Sequence, residues 1–338
     1  MSDKPKRDVR DRYPDKYRTL LADDLWDYIA DIESWYPPEA KTWSLDKQRA
    51  VFDDLCRAFF TGYPETIDVG DGSIGPAQDP HRHETNSVPF RFYVPMGTSL
   101  AEAEDHPPAL ILYFHGGGFV LGGLDSHDDV CADLCARTGF GVVAIDYRLG
   151  PEHPFPADFH DAMRGFGLAE TLGIPTILAG DSAGACLAAA VSAATRDSEF
   201  KPLGQVLIYP TLSGTFDGAS YTDHADAPLL RVKDMATFLA ARTGGNRDIL
   251  TDPRCAPLSA TGTSGLPKTV VFTAQCDPLC SDGQAYCDAV SAAGGDAQCH
   301  EEVGLVHGYM RARTKVPLAQ EAFDRIVASV AALGVRSN

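Results

Sequence analysis

From Val88 onward, compact apolar runs alternate with helix-period stretches, and this alternation constrains the fold more than any other property of the chain. VPFRFYV, ALILYFH, GVVAID, PTILAG, QVLIY and KTVVFTAQ read as strands. Helical stretches lie between them, near residues 126–136, from Ala157 to Leu172 and from Ala183 to Thr195. Short, nearly continuous apolar strands separated by helices predict a parallel sheet with helices on both faces, because each crossover has to cover the sheet. A helix near Asp282 to Ala293, a short strand AQCHEE and a last amphipathic helix from about Ala319 to Leu333 complete the predicted core.

Two stretches fall outside the beat. Residues 1–80 carry aromatic-dotted helical patterns, Leu20 to Trp35 and Leu45 to Phe60, followed by a Gly/Pro/Asp-rich passage. Residues 213–254 read as a loop and a helix inserted before the next strand. The expected organisation is a core of residues 81–212 and 255–338, with 1–80 and 213–254 as two pieces of a mainly helical cap. In the cap, Trp26, Tyr28, Trp35, Tyr36 and Trp43 either line a pocket or pack helices together, and packing is the reading adopted.

Charge narrows the partners. Lys and Arg number 29 against 47 Asp and Glu, a formal charge of -18 that repels phosphate backbones and anionic lipid surfaces. Neither nucleic acid nor membrane is expected; a homodimer is compatible with the sequence. The acidity suits a saline medium and an ordinary cytosolic surface equally. The nine cysteines lack paired zinc spacing and read as buried thiols, although Cys131/Cys135 and Cys276/Cys280 stand four apart. No early apolar stretch resembles a signal peptide and no run approaches membrane-spanning length, so a cytoplasmic location is expected.

The chemistry concentrates in Gly180-Asp181-Ser182-Ala183-Gly184, set between the strand PTILA and a small-residue helix. A serine hydroxyl is a weak nucleophile. It needs a tight turn that exposes it to a histidine and brings backbone amides to the developing oxyanion. Glycines at both two-residue positions permit that turn. The competing reading, a serine that only caps a helix, does not account for the strand before it. A second signal is His115-Gly116-Gly117-Gly118-Phe119, directly after ALILYF. Its amides can converge on one cavity, with Gly117, Gly118 and Ala183 assigned as oxyanion donors and Gly116 as a further candidate. His115 is read as a loop anchor.

HGGGF, YRLGPEHPFPA at Tyr147 to Ala157, GDSAG and DPRCAPL at Asp252 to Leu258 together resemble the hormone-sensitive-lipase-like (bacterial family IV) esterases, from about Ala109 to the C-terminus. The resemblance implies an α/β-hydrolase core, a mostly parallel central sheet with helices on both faces, a mainly helical cap and ester hydrolysis without a cofactor. Ala185 and Cys186 stand where the family has glycine and asparagine, and Gly150 where it has alanine.

The acid and then the base should follow the serine, each on a loop after a late strand. Asp277 follows KTVVFTAQ and His307 follows the AQCHEE region, and DPLCSDG and HGY are similar to the family's acid and histidine motifs. Asp282 is the rival acid, expected instead to cap a helix. His300 falls in a strand and His224 in the cap. His81 and His83 suggest a metal only weakly, so no metal is expected. Tyr147, Arg148, Glu152 and His153 are read as braces for the glycine loop. The expected activity is hydrolysis of short to medium acyl carboxylic esters through an acyl-enzyme, with a small ester as partner. An amidase or deacetylase on the same triad, and a non-catalytic receptor-like hydrolase fold, are the alternatives.

Overall fold

A computed structural model describes residues 9–76, 86–102, 105–259 and 263–335. His81 and His83 lie outside the described residues. Eight strands form one sheet: β1 (Ile67–Ile74), β2 (Val88–Pro95), β3 (Leu110–Phe114), β4 (Gly141–Ile145), β5 (Thr176–Asp181), β6 (Gly204–Ile208), β7 (Lys268–Cys276) and β8 (Ala297–Val306). Their spatial order is β1-β2-β4-β3-β5-β6-β7-β8. The pairs β3/β4, β3/β5, β5/β6, β6/β7 and β7/β8 are parallel, as the alternation predicts, while β1/β2 and β2/β4 are antiparallel.

The crossover helices are α4 (Asp128–Thr138), α5 (Ala157–Leu172), α6 (Ala183–Thr195) and α9 (Cys280–Ala292), with α10 (Pro317–Gly334) last. The sheet divides the core in two. Along β3, Leu110, Leu112 and Phe114 join α5, α6 and α9 on one face, while Ile111 and Tyr113 join α4 and α10 on the other. Two-residue side-chain alternation thus buries every residue of β3, which explains why the strand reads as an unbroken apolar run.

The remaining α-helices are α1 (Tyr17–Leu20), α2 (Asp23–Ser34) and α3 (Leu45–Arg57) before the sheet, and α7 (Ala219–Asp223) and α8 (Val232–Thr243) between β6 and β7. Trp26 and Tyr28 are buried; Trp26 lies against Tyr13 and Tyr28 edge-on to Phe59, so these rings pack helices. Tyr36 is exposed. Among the described residues no helix is long and apolar enough to cross a membrane.

Three elements differ from the sequence expectation. β1 arises inside the passage read only as Gly/Pro/Asp-rich. It carries no apolar alternation because Gly70 and Gly72 have the Phe92 and Phe90 rings lying where a Cβ would stand, so its partner strand supplies the apolar groups. β8 continues past AQCHEE to Val306, and the inserted stretch holds two helices rather than one. All nine cysteines are free thiols, seven of them buried.

Candidate active site

The chain runs from β3 to β4 on one side, then returns to β5 on the other side of β3. Loops after β3 and β5 therefore leave the sheet side by side at a topological switch point, where open α/β sheets place their clefts. Ser182 sits between β5 and α6 at φ 52°, ψ −116°, a left-side conformation that a non-glycine residue adopts only when its surroundings enforce it. The flanking glycines explain how. A Cβ on Gly184 would stand 1.9 Å from the Phe114 carbonyl oxygen, and one on Gly180 would stand 2.6 Å from the Gly184 carbonyl carbon. Bare α-carbons let α6 press against the end of β3, and Ser182 is forced outward.

His307 follows β8, and its Nε2 lies 3.0 Å from Ser182 Oγ. Its Nδ1 lies 2.7 Å from Asp277 Oδ2. Asp277, directly after β7, is fully buried, and its other oxygen accepts the Leu279 amide at 2.9 Å. With the proton on Nδ1 directed at Asp277, Nε2 is free to accept from the serine; that tautomer is assigned from the hydrogen-bond pattern. The structure thus brings together the three residues proposed from the sequence. The rivals lie in other contacts. Asp282 accepts the Leu212 and Ser213 amides and the Tyr221 hydroxyl, each at 2.8 Å, and burial pushes its carboxyl up to about 6. Its expected role in capping α9 is corrected: it ties the start of the inserted segment to the core. His300 stacks on Phe272, and His224 meets the Tyr17 hydroxyl at 3.0 Å.

In the glycine loop, Gly117 at φ 127° and Gly118 at φ 64° occupy backbone space that favours glycine, and the Gly117 carbonyl accepts the Val120 and Leu121 amides to close the turn. The Gly116 amide donates to Asp181 Oδ1 at 2.9 Å and is committed there. Among the described residues, no acceptor takes the Gly117, Gly118 or Ala183 amide. His115 is buried and stacked on Tyr147, whose hydroxyl donates to the His115 carbonyl at 2.6 Å. Burial and the facing His127 ring push the His115 imidazole down to about 4. Arg148 pairs with Asp161, and Glu152 with Arg49.

Residues of α2, α3 and α8 also reach the site: Tyr28, read from the sequence only as a packing residue, and Arg49, Phe238 and Arg242, which sequence reasoning missed. The Tyr28 hydroxyl donates to the Gly308 carbonyl beside His307 at 3.2 Å. Arg49 donates to the carbonyls of Val120 and Gly150. The Phe238 ring lies where a Cβ on Gly118 would be, 2.6 Å from that position. Arg242, buried, stacks on Phe119 and pairs with Asp158 at 2.7 Å. No local pattern marks these contacts, because each joins segments far apart in the chain.

A strained serine after a parallel strand, a histidine in reach of it and a buried acid behind that histidine define a hydrolase of the α/β class. Residues 111–311 match the family described by the α/β-hydrolase fold. Carboxylesterase NlhH of Mycobacterium tuberculosis is 38% identical over 254 residues, 72% of this chain and 77% of the relative. Ethyl acetate hydrolase of Pseudomonas putida is 33% identical over 252 residues, again 72% and 77%. The ester-hydrolase EH1AB1 from the metagenome of Lake Arreo, solved with a bipyridine phosphonate derivative, superposes with a TM-score of 0.81 at 32% identity, over 93% of this chain and 99% of that one. The chain belongs to the α/β-hydrolase fold family.

Proposed function

We propose that this chain, a carboxylic-ester hydrolase, cleaves short to medium acyl esters through an acyl-enzyme on Ser182. In this reading His307 takes the Ser182 proton as Oγ attacks the ester carbonyl, and Asp277 holds the imidazole in its working tautomer. The negative charge on the former carbonyl oxygen is received by the amides of Gly117, Gly118 and Ala183, at the N-terminus of α6. His307 returns the proton to the departing alcohol. Water, deprotonated by the same ring, then releases the carboxylic acid and restores Ser182.

The observation that carries the reading is the pair of contacts on the His307 ring, 3.0 Å to Ser182 and 2.7 Å to Asp277. The relatives named for ester hydrolysis support an alcohol as the leaving group, and ethyl acetate hydrolase supports a small ester. The cap, in this proposal, consists of the helices before β1 together with residues 213–254. A cytoplasmic location is part of the same reading, supported by seven buried free thiols in a chain without a disulfide among its described residues. The test is turnover of p-nitrophenyl butyrate by wild type and Ser182→Ala, with a loss of at least about a thousandfold expected for a triad nucleophile. Unchanged turnover overturns the assignment. A matched butyranilide reports on amide cleavage in the same assay.

A further inference from the structure

Asp181 has no part in the steps above, yet it stands next to the nucleophile and its carboxylate is buried. Four groups converge on it. The Gly116 amide and the Tyr113 hydroxyl donate to Oδ1, both at 2.9 Å. His127 Nε2 lies 3.2 Å from Oδ1 and 3.3 Å from Oδ2, and the Tyr209 hydroxyl donates to Oδ2 at 3.4 Å. Burial alone raises a carboxyl, but His127, Tyr113 and the Gly116 amide outweigh it and hold Asp181 down to about 2. The group is an ionised acceptor throughout the neutral range.

Its position relative to the glycine loop is close. A Cβ on Gly116 would stand 2.3 Å from Asp181 Oδ2, so the carboxylate lies directly against that bare α-carbon. Three successive glycines form the most pliable backbone a chain can have, and donors on it stabilise an oxyanion only if they are aimed before charge develops. The far end of the loop is closed by the turn at Gly117, and the near end is held by Asp181. Because the same residue is covalently joined to Ser182, one side chain fixes the oxyanion donors relative to the nucleophile. Tyr209 extends the hub towards the base, since its ring centroid lies 4.7 Å from that of His307.

We propose that Asp181 is a positioning residue, which through the Gly116 amide holds the glycine loop with the Gly117 and Gly118 amides directed at the oxyanion. The inference rests on the esterase reading above. It goes beyond that reading in assigning the preorganisation of the oxyanion site to an acceptor that never touches substrate.

The experiment measures kcat, KM and melting temperature of Asp181→Ala and Asp181→Asn on p-nitrophenyl butyrate. It also measures their affinity for an alkyl trifluoromethyl ketone, which adds to the serine as a hemiketal oxyanion. Asp181→Ala should lower kcat about 100-fold with KM within about threefold, the scale of a misplaced catalytic group. Ketone affinity should fall by a comparable factor. Asp181→Asn, whose amide oxygen can accept from Gly116 and Tyr113, should recover most of both losses. Should Asp181→Ala not fold, Asp181→Ser, too short to reach the Gly116 amide, takes its place. Unchanged kcat, a loss confined to KM, unchanged ketone affinity, or an asparagine variant as poor as alanine each overturns the proposal. Wild-type turnover that survives Ser182→Ala would instead overturn the esterase reading, so the two failures are distinguishable.

Discussion

Asp277, directly after β7, and Asp282, in the first turn of α9, face different partners: Asp277 holds His307 at 2.7 Å, and Asp282 holds the Leu212 and Ser213 amides at 2.8 Å. One carboxylate is placed to orient a base and the other to anchor the inserted segment. Their substitutions should therefore separate cleanly. Asp277→Asn keeps the shape but presents an amide to Nδ1, which favours the wrong tautomer, so kcat should drop by about 10⁴ with little change in melting temperature. A loss below about tenfold would remove Asp277 from the triad.

Asp282→Asn should act on stability and its pH dependence. Burial raises this carboxyl from 3.8 to about 6. A carboxyl raised in the folded state favours folding fully below about pH 4 and loses that contribution as pH rises through about 6. Across that window wild type should weaken relative to Asp282→Asn by up to about 3 kcal/mol. Tyr221 can still bond the asparagine. Chemical denaturation of both proteins at pH 4 and pH 8 checks this, and a stability difference that is constant with pH contradicts it.

Much of this was legible in sequence, for identifiable reasons. α5 and α6 begin and end where their patterns predicted, because Gly173 at φ 68° ends α5 and the glycine pair fixes the start of α6. The three residues of the proposed triad were legible because each occupies a loop directly after a strand. β1 was not, since its glycines leave the packing to Phe90 and Phe92 across the ladder. Asp282 looked like a helix cap because capping is the local choice for a carboxylate there. Two amides and a hydroxyl from the inserted segment outcompete that choice, and no local rule foresees them.

Glycine substitutions test the elbow against an ordinary site in the same core. Gly184→Ala sets a methyl 1.9 Å from the Phe114 oxygen, both on backbone that cannot yield, and should cost about 3 kcal/mol or more or prevent folding. Gly167, inside α5 with open space around its missing Cβ, should gain about 0.5–1 kcal/mol as alanine. Urea midpoints of the two variants give the comparison, and equal midpoints would contradict the crowding argument.

Phe238, on α8, tests where the acyl chain runs. Its ring lies over the bare α-carbon of Gly118, proposed as an oxyanion donor, so an acyl or alcohol group bound at Ser182 is expected to extend past it. The ring is only partly buried, as expected of a residue that borders a cleft rather than filling a core. Removing it opens apolar space without touching the triad, and each additional buried methylene is worth about 0.8 kcal/mol of binding. Phe238→Ala should therefore raise kcat/KM for p-nitrophenyl octanoate relative to butyrate by about tenfold, because the longer chain gains surface that the shorter one cannot reach. The same argument forbids a large fall in kcat for the butyrate ester, which in the proposed mechanism depends on the Gly118 amide and not on the ring above it. A chain-length profile identical to that of wild type would show that acyl chains leave Ser182 along another route, away from α8.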